Sequence, residues 1–203
     1  ASLQDAVQQA AAVAAGTVVM MDAADATSSG ASGDSNAILR EALHQGYEGT
    51  ILAPLVDQAA VEFAFRAGVG GSFRAHLGGA VDGQRYRPLE LDVQVRSLSD
   101  GKFRSESFGW PWDAGKTAVL VADQATLVVS TRPVSLFDRS FFYANGQDPR
   151  HFDMVVVKSP HAEPHMFAGW CAKLINVDAP GSTSANLPSL GHRICERPII
   201  PLD

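Results

Sequence analysis

The chain has 203 residues, enough for one large domain or two small ones with a sizeable core. At 46% hydrophobic and 19% charged it is neither disordered nor membrane-embedded, and runs such as 117–122 and 154–157 are far too short to cross a bilayer. Sixteen basic against 22 acidic residues give a net charge of −6, which argues against nucleic acid or an anionic membrane as partner; two cysteines without a CxxC spacing imply no oxidising compartment, so a cytoplasmic setting is expected.

Residues 1–15 predict a helix, with Leu3, Ala6, Val7, Ala10, Ala11 and Val13 on one face and Gly16 as its stop. A helix opening at Ala1 without a cap suggests a chain cut from something longer. Residues 17–21 read as a buried strand that ends at Asp22 and runs into a small, polar loop over 23–33. A helix follows over about 36–44, with Asp34 or Ser35 as N-cap and Gly46 as stop. A second buried strand is expected over 49–53, with Pro54 near the start of a helix over 57–66. Two strand–loop–helix units in succession indicate an α/β layer.

Residues 72–132 change character. Segments 72–77 and 89–96 alternate in period two, Asp100-Gly101 signals a hairpin leading into 102–105, and 117–121 with 126–131 form another strand pair. This section reads as antiparallel, a candidate subdomain. The last third returns to α/β, with strands over 153–157 and 173–177, a short helix over 164–170, and a Gly-, Ser- and Pro-rich tail from Ala179 as a surface strap. The fold expected is α/β: a single domain over 1–203, a mixed sheet with flanking helices and a central antiparallel β section.

Two loops carry chemistry. The segment from Asp22 to Asp34 leaves the carboxyl end of a strand and enters a helix, where α/β sheets bind ligands; Gly30 and Gly33 permit close backbone approach. Asp22, Asp25 and Asp34 would repel phosphate but suit a cation, an amine or structural bonds to loop N–H groups. The second loop, Lys158-Ser159-Pro160-His161-Ala162-Glu163-Pro164-His165, follows another buried strand. His161 and His165 are weak metal candidates, because Pro160 and Pro164 exclude the helical geometry of an HxxxH pair and no third ligand is evident. Gly115-Lys116-Thr117 is not a phosphate loop, since Trp110 stands where glycine is required and a strand follows. Cys171 reads as a packed small hydrophobe.

In order along the chain stand Asp22-x-x-Asp25, Gly33-Asp34, Leu55-Val56-Asp57, Ala67-Gly68-Val69-Gly70 and Leu77-Gly78-Gly79. They continue with Val156-Val157-Lys158-Ser159, Val177-Asp178-Ala179-Pro180-Gly181 and Arg197-Pro198-Ile199-Ile200-Pro201-Leu202-Asp203. Together these resemble the C-terminal domain of the microcystinase C (MlrC-like) metallopeptidases. The resemblance implies a metal-dependent hydrolase, typically a zinc enzyme, acting on peptide or related amide bonds. Its metal ligands would lie in an N-terminal domain absent from this chain, so no cofactor is expected in these 203 residues alone. Two motifs depart from the family: Ala26-Thr27 replace an Asn-Pro after the second aspartate, and Ala162-Glu163-Pro164 replace a His-Phe-Arg-like stretch.

The expected function is therefore one wall of an active-site cleft. Asp22, Asp25, Gly30, Gly33, Asp34, Lys158, Ser159 and His161 would contact substrate or stand behind the groups that do. The partners would be the N-terminal domain and a small peptide or amide; homo-oligomerisation is left open. The competing reading is a non-catalytic module that binds a small ligand or mediates assembly.

Overall fold

The computed structural model describes residues 1–160, 164–200 and 202. The first units are α1 (Leu3–Ala11), β1 (Val18–Met21), α2 (Ala37–His44), β2 (Ile51–Val56) and α3 (Gln58–Ala67). Then come β3 (Ser72–Leu77), β4 (Leu89–Ser99), β5 (Lys102–Arg104), β6 (Pro111–Asp113), β7 (Thr117–Ala122) and β8 (Ala125–Ser130). The chain closes with α4 (Ser140–Ala144), β9 (Met154–Val157), a helical turn at Pro164–Ala168, and β10 (Lys173–Asn176).

Eight strands form one mixed sheet in the order β10-β1-β9-β2-β8-β7-β4-β3, and β5-β6 form a small second one. The five strands from β10 to β8 run parallel; β7, β4 and β3 continue antiparallel. This is the mixed α/β class expected. The antiparallel section is continuous with the rest, because β8 pairs with β7 on one side and with β2 on the other. In β1 and β9 every residue is buried: Val18, Met20, Met154 and Val156 face one core, Val19, Met21, Val155 and Val157 the other. Such two-sided burial makes central parallel strands read as continuous apolar runs.

Five local expectations are corrected. Helix α1 does have a cap: Ser2 Oγ accepts from Asp5 N–H at 3.1 Å and donates to the Asp5 carboxylate at 2.7 Å. It also ends at Ala11, with Gly16 turning the chain into β1 instead of stopping the helix. Pro54 lies inside β2, not at a helix start. Ile51 N–H points to β8, so Pro54 points to the β9 side, where pairing stops after Leu52; the missing N–H breaks no ladder bond there.

The Asp100-Gly101 turn does not fold β5 back on β4; β5 pairs with β6. At Gly101, with φ +72°, a Cβ would fall onto Gly115 O, so the bend is set by close approach of two loop backbones. Finally, Asn36 occupies the N-cap position of α2 and makes no side-chain cap bond there. Ser35 Oγ accepts from Ala37 N–H at 3.3 Å, while Asp34 is drawn elsewhere.

The register of β4 on β7 shifts between Val95 and Ser97, and beyond that irregularity β4 pairs with β3, both strands packing against α3. The far end of the β3–β4 ribbon returns to the carboxyl ends of the parallel strands: Asn36 Nδ2 donates to Leu77 O and Arg87 O at 2.7 and 2.8 Å. Of the tail expected as a surface strap, residues 185–200 are largely exposed, whereas Ala179, Gly181 and Ser184 are buried and Thr183 N–H donates to Ala24 O in the turn after β1 at 3.0 Å.

Candidate functional site at the carboxyl rim of the sheet

β1 and β9 are neighbours, but their connections leave in opposite directions: β1 leads by α2 to β2, β9 leads to β10. The two crossovers also pack on opposite cores, α2 through Ile38 and Leu39, the 158–172 connection through Met166 and Phe167. This is a topological switch point, the position where open α/β sheets leave a crevice for ligands. Here the crevice is filled by the loop that follows β1.

Asp22 ends β1 and accepts from Asp25 N–H at 3.2 Å, which folds residues 23–25 into a single 3-10 turn. Asp25, fully buried, then gathers the rest of the loop. Its carboxylate accepts from Gly33 N–H and Ser35 N–H, both at 2.8 Å, and from Lys158 Nζ at 2.5 Å. Lys158 follows β9 directly, is 2% exposed, and donates a further bond to Ser35 O at 2.7 Å. A buried ion pair thus bolts the loop after β1 to the end of β9, and its remaining polar atoms are met by backbone groups, as burial of charge demands.

Asp34 is also buried and ties in the ribbon: its carboxylate accepts from Val81 N–H at 2.7 Å, Asp82 N–H at 3.0 Å and Ser32 Oγ at 2.5 Å. Asp57 does the same after β2, accepting from Ala60 N–H and, across the fold, Gly78 N–H, each at 3.0 Å. Tyr86 closes the assembly with its hydroxyl donating to Pro180 O at 3.2 Å.

Four carboxylates and one ammonium share this region, so electrostatics favour protonation of the least compensated acid. Burial pushes the Asp22 carboxyl up to about 6; Lys158 opposes the rise and Asp25 adds to it. Burial, with Asp25 and Asp22 nearby, also pushes the Tyr86 phenol well up, which keeps its proton for the Pro180 bond.

Of the residues singled out in the sequence, Asp22, Asp25, Gly33, Asp34, Lys158 and Ser159 come together and are buried. Gly33, at φ +76°, is wedged between Thr27 and Val56, where a Cβ would meet two methyl groups at 2.8 Å. Gly30 instead stands exposed at the end of the 27–29 turn, with open space before its Cα. His161 lies outside the described residues, as do Ala162 and Glu163, and the His165 side chain is likewise outside them. Asp57 and Tyr86 are members that sequence reasoning did not select. An N-cap signal marks Asp57, but nothing local in Arg85-Tyr86-Arg87 marks a buried phenol.

The donor set does not fit a metal. The Asp25 and Asp34 carboxylates are taken up by N–H, hydroxyl and ammonium donors. Among the described residues no three His, Cys, Asp or Glu side chains gather in a metal-holding group. Nor does any described helix have the length and apolarity to cross a membrane.

The family model described as MlrC C-terminus matches residues 20–193. Microcystinase C from a Sphingomonas species is 27% identical over 153 residues, covering 75% of this chain and 30% of that protein. A crystal structure from Mesorhizobium sp. BNC1, of a protein provisionally described as a metallopeptidase, matches with a TM-score of 0.85 at 30% identity. That match covers 100% of this chain and 41% of the other. The chain therefore spans less than a third of the curated relative and about two-fifths of the structural one.

Proposed function

The chain belongs to the MlrC C-terminus family, and from that membership we propose that it is the C-terminal domain of a metal-dependent peptidase or amide hydrolase. In this reading the carboxyl rim around β1 and β9 is one wall of the active-site cleft. The observation that carries it is the buried Asp25–Lys158 pair, which joins two loops at the switch point, where α/β sheets place their ligand sites. Asp22, Asp25, Asp34, Lys158 and Ser159 are positioning residues: they fix the loop from beneath, and the exposed segment 28–30 meets substrate.

The metal is held outside the described residues and is zinc by family resemblance. When bound it supplies a Lewis acid and a water of lowered pKa. The substrate is a small peptide or related amide, and the setting is cytoplasmic, a reading supported by two cysteines left as free thiols.

The test uses the full-length protein loaded with zinc, a panel of peptide amides, and Ser29→Trp, which adds bulk at an exposed position without touching the buried network. The expected result is hydrolysis, with KM raised about fivefold or more in the variant, kcat within about twofold and thermal stability unchanged. An unchanged KM overturns the wall role. Failure of the zinc-loaded protein to cleave any amide overturns the hydrolase reading itself.

A further inference from the structure

The two faces of the sheet are covered unequally. Helices α1, α2 and α3 all pack on the core that includes Val18 and Met20. The opposite core, with Val19 and Met21, is roofed by the β5–β6 hairpin, the five-residue α4 and the turn at 164–168. On this thin roof stands an aromatic ridge. Phe108 and Trp110, 42% and 55% exposed, stack with centroids 4.8 Å apart and planes at 22°. Phe137 meets Phe108 edge-on at 5.4 Å, and Trp112 adjoins Phe137 at 6.3 Å.

We propose that this ridge is the docking surface for a further domain of the same polypeptide, lying outside these 203 residues. The proposal rests on family membership and is independent of the cleft reading. Its first support is length: the matched region makes up 30% and 41% of the two relatives described above, so in them more chain lies outside this domain than within it. Its second is rigidity. The hairpin tip is fixed from below by Ser105 Oγ and Ser107 N–H donating to Asp138, and by Glu106 N–H donating to Ser140 Oγ at 2.7 Å. Rings held this way lose little freedom on docking.

The third support is charge. Two ions at the margin of the ridge are already matched, Arg139 with Glu106 at 3.0 Å and Arg132 with Asp113 at 2.8 Å; Arg104, which has no acid partner among the described residues, donates to Gly109 O, so a docking domain has to supply an acceptor for that one cation. Aromatic side chains with a ring of arginines are also the composition favoured at the centre of protein interfaces.

The test is thiol accessibility in the full-length protein. Phe108→Cys places a thiol on the ridge and keeps Trp110; Val69→Cys, at a position 66% exposed after α3, is the reference. Labelling with a maleimide is read by peptide mass, which separates Cys171 and Cys195. The ridge thiol is expected to react about tenfold or more slowly than the reference, with Trp110→Cys giving the same answer should the first variant not fold. Equal rates overturn the proposal. Protection that vanishes on dilution, together with a fall in mass from dimer to monomer, assigns the ridge to a second copy and overturns it too.

Discussion

Asp22 carries the sharpest consequence of burial at the scale of a single side chain. Its folded-state pKa is raised from 3.8 to about 6, so the native protein holds the proton more tightly than the unfolded chain does. The stability tied to that proton is fully present below pH about 4 and is lost as pH rises through about 6, a loss on the order of 3 kcal/mol for a shift of about two units. Asp22→Asn keeps an acceptor for Asp25 N–H and removes the ionisation. Relative to wild type, the variant is expected to gain stability between pH 4 and pH 7, measured by urea unfolding at both values. An identical pH slope in the two proteins would contradict the burial argument. Substitution at Lys158 is expected to destabilise instead. Lys158→Met leaves the Asp25 carboxylate buried without its ammonium, and a loss of about 3–5 kcal/mol is expected in the same experiment at pH 7.

At the scale of elements, the loop after β1 separates two glycines that look alike in sequence. Both have positive φ, +93° at Gly30 and +76° at Gly33, so alanine is strained by about 1–2 kcal/mol at either position. At Gly30 nothing lies near the new methyl, whereas at Gly33 it meets Thr27 and Val56 at 2.8 Å. Gly33→Ala is therefore expected to cost about 1–3 kcal/mol more than Gly30→Ala, read as the difference in unfolding midpoints. The same scale shows why most elements were legible and a few were not. β1 and β9 announce themselves as short apolar runs, and α3 by Asp57, whose carboxylate accepts from Ala60 N–H. Pro54 misleads because its place in β2 depends on where β9 stops pairing, and β9 lies about a hundred residues downstream. Asp34 misleads in a similar way. It has the residue type and position of a helix cap, yet its acceptors are satisfied by the N–H groups of Val81 and Asp82.

At the scale of the molecule, the carboxyl rim is a closure made by segments far apart in the chain. The tail is one of its members: Thr183 Oγ donates to the carbonyls of Ala23 and Ala24 at 2.9 Å and accepts from Ala26 N–H at 3.2 Å. Thr183→Val keeps the shape and removes those bonds. Amide hydrogen exchange is expected to quicken over 22–26 and 179–184 together, while β7 and β8 remain unchanged. Exchange confined to the tail would mean that the strap does not brace the loop.

The sequence by itself determined the α/β class, the order of most strands and helices though not β6 or α4, the two loops worth attention and the family to which they point. These follow from local patterns: apolar runs, period-two alternation, caps, turn residues and ordered short motifs. Only the tertiary structure decided what the acidic residues do. The partners of Asp25, Asp34 and Asp57 arrive from 133, 47 and 21 residues away, and a carboxylate carries no local mark of which distant N–H or ammonium will reach it.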